Sequence, residues 1–178
     1  FYTTRSQILE ITEDITLGGL YVGQFCDTNA HLTVNAQNLN NSRKISFKRT
    51  DGNPVQIQLS SNTTDLDNNY RKVNLIFGGY LNNVEFSTDT HLSGGWGKAK
   101  ARAHQGRFEF NSLTNTIPEG VTVSLYDMDT QGQNMSTTYD PGVLHGAGTF
   151  WNRSSAMVKI SKNISNFTGV LRASGGYN

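Results

Sequence analysis

The sequence predicts an all-β domain built as a sandwich or a barrel. Side chains alternate between apolar and polar along short runs, clusters of Gly, Asn and Asp separate the runs, and no stretch repeats apolar residues at the helical spacing. The chain has 178 residues, enough for one sizeable core and few for two. We therefore predict a single β-sandwich domain over residues 1–178.

The predicted strands follow one another at fairly even spacing. In chain order they are HLTVNA (31–36), RKISFKR (43–49), VQIQLS (55–60), YRKVNLIF (70–77), NVEFST (83–88), RFEFNS (107–112), VTVSLYD (121–127), AMVKIS (156–161) and FTGVLRAS (167–174). The second and third flank the turn cluster TDGNP, which predicts a hairpin. Residues 128–148 lack alternation, and we predict a long surface loop near a binding site there.

Composition excludes several classes of protein. Fifteen Lys and Arg residues against 14 Asp and Glu give a net charge of +1, a weak excess for a general nucleic-acid binder. No apolar stretch has the length of a membrane-spanning helix. Cys26, the single cysteine, ends an apolar run without basic neighbours, so we expect a buried and unreactive thiol. The chain begins without Met, as a mature exported chain or a trimmed one does.

Three segments resemble subunits of chaperone–usher fimbriae, in particular the Afa/Dr type. The segment ISNFTGVLRASGGYN has the aromatic, small, Gly and alternating apolar order of the last strand of such subunits. The segment GQFCDTNAHLTV, with the alternating runs after it, is similar to their early strands, and IPEGVTVSLYD resembles another recurrent strand. Many of these subunits carry a disulfide, whereas Cys26 has no partner in this chain.

The resemblance implies an immunoglobulin-like β-sandwich that a donor strand from a neighbouring subunit completes. Residues 1–17 would then be either such a donor strand or the first strand of a complete sandwich. It also implies a fimbrial location on the bacterial surface, reached through the periplasm, with a periplasmic chaperone and other fimbrial subunits as partners.

The segment GKAKARAHQGR (97–107) is the most distinctive feature of the sequence. On a strand, Lys98, Lys100, Arg102 and His104 share one face and alanines share the other, with Arg107 just beyond. Such a row can bind an anionic glycan or matrix protein, or it can protect an exposed edge strand from aggregation.

Aromatic residues supply further candidates for sugar binding. Trp96 precedes the basic row in the segment GGWG, where it could stack on a sugar or belong to the core. Trp151 follows Phe150, so one of the two must point outward if they lie on a strand. Tyr139 belongs to the predicted loop. We therefore predict a ligand-binding set whose members are Trp96, Lys98, Lys100, Arg102, His104, Arg107, Tyr139 and Trp151.

The chain offers little for catalysis. Its histidines have no metal-ligand spacing, and it contains no nucleophile elbow, phosphate loop or dinucleotide fingerprint, so we predict neither a metal nor a cofactor. Only a spatial pairing among Glu85, Glu109 and Glu119 would support a jelly-roll enzyme acting on polysaccharide. We instead expect a bacterial surface adhesive subunit that binds a host carbohydrate or matrix protein. A free-standing secreted lectin or carbohydrate-binding module is the alternative.

Overall fold

The fold was obtained as a computed structural model, which describes residues 2–3, 7–24, 30–61, 72–96, 105–127, 138–153 and 157–174. These ranges contain β-strands and one short 3-10 turn, Leu39–Asn41. The prediction of an all-β protein is therefore confirmed. None of the helical structure in these ranges is long and apolar enough to cross a membrane.

The strands form three sheets in which every pairing is parallel. Sheet A consists of β1 (Tyr2–Thr3), β4 (Gly19–Gln24), β7 (Val55–Ser61), β10 (Thr90–Trp96), β13 (Thr122–Asp127), β16 (Thr149–Asn152) and β18 (Val170–Ala173). Sheet B consists of β2 (Gln7–Ile11), β5 (Ala30–Ala36), β8 (Lys72–Phe77), β11 (Gln105–Phe110), β14 (Thr138–Asp140) and β17 (Met157–Val158). Sheet C consists of β3 (Ile15–Leu17), β6 (Arg43–Phe47), β9 (Leu81–Phe86), β12 (Thr114–Thr116) and β15 (Leu144–His145).

The chain visits the sheets in the order B, C, A and then begins again. Strands β2, β3 and β4 make one coil, β5, β6 and β7 make the next, and each strand pairs with its counterpart one coil later. The protein is thus a parallel β-solenoid, in which each coil packs on its neighbours.

Parallel pairing is not typical of an immunoglobulin-like sandwich, whose sheets are antiparallel. Alternation along a strand is the same in both pairings when one face is buried, so the pattern did not distinguish them. The hairpin predicted for residues 43–49 and 55–60 is wrong, because β6 belongs to sheet C and β7 to sheet A. The described part of residues 1–17 contains β1, β2 and β3, which belong to three different sheets.

Strand register stacks buried apolar side chains into columns inside the coils. In sheet A the column is Leu20, Ile57, Leu92 and Leu125; in sheet B it includes Val34, Phe77 and Phe110; and in sheet C it includes Phe47 and Phe86. Each side chain packs on the residue above and below it, so the core is continuous along the stack.

Four phenylalanines join the columns of sheets B and C. The rings of Phe77 and Phe110 stack at 4.8 Å between centroids, and those of Phe47 and Phe86 stack at 5.8 Å. Edge contacts at 5.9 Å between Phe47 and Phe77 and at 5.7 Å between Phe86 and Phe110 connect the two stacks. These rings fill the space where the two sheets meet.

The corner between sheets B and C is held by buried polar contacts. The Nδ2 group of Asn115 donates to the carbonyl oxygen of Pro141 at 3.0 Å, and its Oδ1 accepts from the hydroxyl of Ser112. In the next coil, Gly142 forms the turn between β14 and β15 with a φ of 63°. An added Cβ there would lie 1.8 Å from the carbonyl oxygen of Phe110. This corner therefore depends on the coil before it.

Several predicted features fall wholly or partly outside the described ranges. Cys26 and the basic row from Lys98 to His104 lie in gaps between strands that the structure describes. The loop predicted for residues 128–148 is wrong in its second half, because that part contains β14 and β15 and buries Leu144. Residues 128–137 lie outside the description.

Candidate functional site

The outer face of sheet A carries two rows of side chains that run across the strands. The pairing register places the first row at Gly19, Gln56, His91, Ser124, Trp151 and Arg172. The second row includes Tyr21, Gln58, Ser93 and Tyr126, and Arg153 continues it just beyond β16. Alternation along each strand sends the intervening residues, such as Ile57, Leu92 and Leu125, into the core.

Six of these side chains touch one another in an unbroken chain across five strands. The Nε2 group of Gln56 is 3.2 Å from Nδ1 of His91, whose ring lies 4.7 Å from that of Tyr126. The guanidinium of Arg153 lies over both Tyr126 and Trp151, and that of Arg172 also lies over Trp151. We call this set the sheet A ladder; its members are Gln56, His91, Tyr126, Arg153, Trp151 and Arg172.

Trp151 lies near the C-terminal end of the sheet A ladder, where it contacts both arginines. Phe150, its neighbour in β16, is buried in the core, so Trp151 projects to the outer face and is half-buried there. Its indole Nε1 donates a hydrogen bond of 2.8 Å to the hydroxyl of Ser174. The prediction that Phe150 and Trp151 face opposite sides is therefore confirmed.

The two guanidiniums lie close to the indole ring. The Cζ atom of Arg153 is 4.2 Å from the Trp151 ring centroid, and that of Arg172 is 3.9 Å from it. Arg153 also donates through a terminal nitrogen to the hydroxyl of Tyr126 and lies 4.7 Å from the Tyr126 ring centroid. Attraction between a cation and an aromatic ring contributes about 0.5–1 kcal/mol at an exposed site, which favours one geometry for each arginine.

The electrostatics of this face are positive at one end and neutral elsewhere. Burial and the nearby charge of Arg153 lower the pKa of His91, while Asp89 opposes that shift, so the ring is neutral at pH 7. No Asp or Glu belongs to either row, and within the described ranges neither Arg153 nor Arg172 forms a salt bridge. The arginines are therefore the charged groups of the two rows.

The predicted binding residues are divided between two sheets. Trp96 ends β10 and so belongs to sheet A together with Trp151. Arg107 lies on β11 of sheet B, where its guanidinium forms a salt bridge of 2.9 Å with Glu109. The backbone of Tyr139 lies in β14 of the same sheet, in register with Phe108. Lys98, Lys100, Arg102 and His104 lie outside the described ranges.

Sequence reasoning identified Trp151 and missed the other members of the ladder, which are Gln56, His91, Tyr126, Arg153 and Arg172. Tyr126 and Arg172 lie in predicted strands, whereas His91 lies in a strand that was not predicted. Their proximity depends on parallel register between coils, and the unequal lengths of the connecting segments hide that register in the sequence. Only a search for repeats of unequal length could have aligned these positions from the sequence.

The carboxylates considered for catalysis lie on different elements. Glu85 is on β9 of sheet C and forms a salt bridge of 2.6 Å with Lys44; a hydrogen bond from that lysine is the main cause that lowers the Glu85 pKa. Glu109 is on sheet B, and Glu119 is in the turn before β13. Among the described residues, no three His, Cys, Asp or Glu side chains form a group that could hold a metal ion.

An apolar cavity of about 320 Å³ opens at the first coil. Leu9, Ile15 and Leu17 line it from sheets B and C, and Leu20 and Tyr21 line it from sheet A. It is the end of the hydrophobic core and contains none of the sheet A ladder.

Comparison of the chain with models of known protein families, with curated proteins and with solved structures found no match.

Proposed function

We propose that the protein is a bacterial surface adhesive that binds a host glycan through the outer face of sheet A. The observation that carries this proposal is the sheet A ladder, in which aromatic, amide and guanidinium groups touch in sequence across five strands. Glycan recognition needs both apolar ring surface and polar hydrogen-bonding groups, and this face supplies them together.

The geometry of the face suits an extended ligand. Adjacent strands of a sheet lie about 4.8 Å apart, so the five strands from β7 to β18 span roughly 19 Å. A run of several linked sugar rings covers such a length. The ligand would therefore be an oligosaccharide or a polysaccharide segment that lies across the strands.

The proposal retains glycan binding and an extracellular location and does not depend on strand complementation. Donor-strand exchange completes a sandwich that lacks a strand. The described strands here instead form three parallel sheets built from successive coils. A free-standing secreted lectin or carbohydrate-binding module would use the same face. The two differ in whether the protein is retained on the cell, which fractionation of the producing bacterium measures. Neither requires catalysis.

Binding to a glycan array, compared between the native protein and variants, tests the proposal. We expect Trp151→Ala and Tyr126→Ala each to weaken the strongest array signals about fivefold or more, since an aromatic contact contributes about 1 kcal/mol and each ring also positions Arg153. Tyr80→Ala is the matched control, because Tyr80 is an exposed aromatic in the turn between β8 and β9.

Circular dichroism and thermal melting must show that each variant folds. Array binding that survives both ladder substitutions in folded protein would contradict the assignment of the site. An array on which the native protein binds no glycan would contradict the proposed function itself.

A further inference from the structure

The arginine pair at the end of the sheet A ladder determines which class of glycan this face would accept. Arg153 and Arg172 come from successive coils, and both guanidiniums lie within 4.2 Å of one indole ring centroid. Two positive charges without an acidic residue in their rows make this end of the face attractive to an anion. The inference drawn here rests on the proposed function of sheet A.

Stacking on an aromatic ring leaves the hydrogen-bonding edge of a guanidinium available. The five N–H donors of arginine lie in the plane of the group, so a ring that covers its face does not occupy them. Arg153 uses one terminal nitrogen to bind the Tyr126 hydroxyl, and both arginines are exposed. The remaining donors can form the paired hydrogen bonds that a planar carboxylate accepts.

Trp151 itself is held in place, which makes the pair a fixed site. Its indole Nε1 donates to Ser174, and its backbone lies between β13 and β18 in sheet A. The ring therefore positions both guanidinium groups before any ligand binds, which reduces the conformational entropy lost on binding.

The rest of the face limits how much negative charge a ligand can carry. From β7 to β13 the outward residues are Gln56, Gln58, the neutral His91, Tyr126 and two serines, Ser93 and Ser124, which are buried. None of these groups carries a charge, and His91 and Tyr126 supply ring surface. A densely sulfated chain would place anions along this neutral stretch, whereas a chain with isolated acid groups would not.

We propose that sheet A binds an acidic polysaccharide that carries uronic-acid carboxylates, which the exposed guanidiniums of Arg153 and Arg172 hold. Neighbouring sugar rings extend from there over Tyr126 and His91 toward Gln56. Each carboxylate accepts N–H donors from a guanidinium.

A panel of uronic-acid oligosaccharides tests this assignment by titration calorimetry. The probes are oligomers of galacturonate, alginate and hyaluronan, the same oligomers after reduction of each carboxylate to an alcohol, and a sulfated heparin oligomer. We expect at least one acidic oligomer to bind roughly tenfold more tightly than its reduced form, because charge-assisted hydrogen bonds are lost on reduction. Its affinity should also fall as salt is added.

Substitution of the arginines supplies the second arm of the experiment. Arg153→Gln and Arg172→Gln should each weaken the acidic oligomer roughly tenfold, and the reduced form by a smaller factor because it lacks the charge-assisted hydrogen bonds. Arg172→Lys keeps the positive charge but loses the planar guanidinium. Its affinity for the acidic oligomer should therefore be little higher than that of Arg172→Gln. Arg49→Gln is the matched control, since it removes the same charge from the turn before β7, where Arg49 pairs with Asp51.

The possible outcomes separate the two proposals. Equal binding of acidic and reduced oligomers, or a neutral glycan bound while every acidic oligomer fails, overturns the carboxylate assignment and leaves glycan binding intact. Tighter binding of the heparin oligomer than of every uronic oligomer also overturns it, in favour of sulfate. Failure of every acidic, reduced, sulfated and neutral glycan overturns both proposals.

Discussion

At the scale of single residues, the clearest constraint lies at Gly142, in the corner between β14 and β15. Its φ of 63° falls in the left-handed region, and an added Cβ would lie 1.8 Å from the carbonyl oxygen of Phe110 and 2.8 Å from Nδ2 of Asn115. The corner of one coil is thus packed directly on the corner of the preceding coil. A side chain there would disturb both the turn and the hydrogen bonds of Asn115.

We expect Gly142→Ala to lower the free energy of unfolding by at least about 3 kcal/mol, from backbone strain together with the steric overlap. Gly120→Ala is the matched control, because Gly120 has a φ of 79° and nothing within 4 Å of an added Cβ. The control should cost about 1 kcal/mol, the penalty of the left-handed conformation alone. Urea denaturation of both variants measures the difference, and equal losses would contradict the steric argument.

At the scale of elements, the phenylalanine stack connects sheets B and C. Phe77 on β8 contacts Phe110 on β11 face to face and Phe47 on β6 edge to face. These contacts join two sheets and three successive coils through one side chain. Loss of that ring would therefore remove packing from several strands at once.

Phe77→Ala should destabilise the protein by about 3–5 kcal/mol, the range for deleting a buried phenylalanine ring. Leu113→Ala, in the exposed turn between β11 and β12, is a control that should change stability by less than about 0.5 kcal/mol. Thermal and denaturant unfolding of the two variants measures both effects. A loss below about 1 kcal/mol for Phe77→Ala would mean that the neighbouring rings close the space it leaves.

At the scale of the whole molecule, stability should vary along the stack. In a solenoid each coil contacts only its neighbours, so an inner coil is held on two sides and an end coil on one. The side chains of the last strand, β18, are all exposed, including Val170 at 56% and Leu171 at 48%. Inner strands such as β9 bury most of their apolar side chains.

Native-state hydrogen exchange monitored by mass spectrometry should show this gradient. We expect peptides that contain β8, β9 and β10 to exchange slowest and those that contain β18 or β2 to exchange fastest. The same measurement at several denaturant concentrations distinguishes opening from the ends from opening of the whole stack. Uniform exchange across all strands would show that the coils open as one unit.

The strands were largely predictable from the sequence, whereas their arrangement was not. The predicted strands 43–49 and 121–127 contain β6 and β13, and the predicted strand 55–60 covers β7 except for its last residue, Ser61. The alternation that revealed them depends only on one face being buried, so it carries no information on strand direction.

The repeat was hidden because its period changes along the chain. Leu9, Val34, Phe77 and Phe110 occupy one register position in four successive coils, yet the intervals between them in sequence are unequal. The contacts within the candidate site were hidden for the same reason. Adjacent Phe150 and Trp151 were enough to predict that one of them points outward, but the contact of Trp151 with Arg172 exists only through strand register.

The connections from sheet A to sheet B contribute to the unequal intervals. Among the described strands they run from Thr3 to Gln7, Gln24 to Ala30, Ser61 to Lys72, Trp96 to Gln105, Asp127 to Thr138 and Asn152 to Met157. Strand pairing between coils does not depend on the length of these connections. Evolution or an engineer can therefore lengthen, shorten or replace these connections without altering which described strands pair. The basic segment that contains Lys98, Lys100 and Arg102 belongs to one of them and follows β10 directly in sequence.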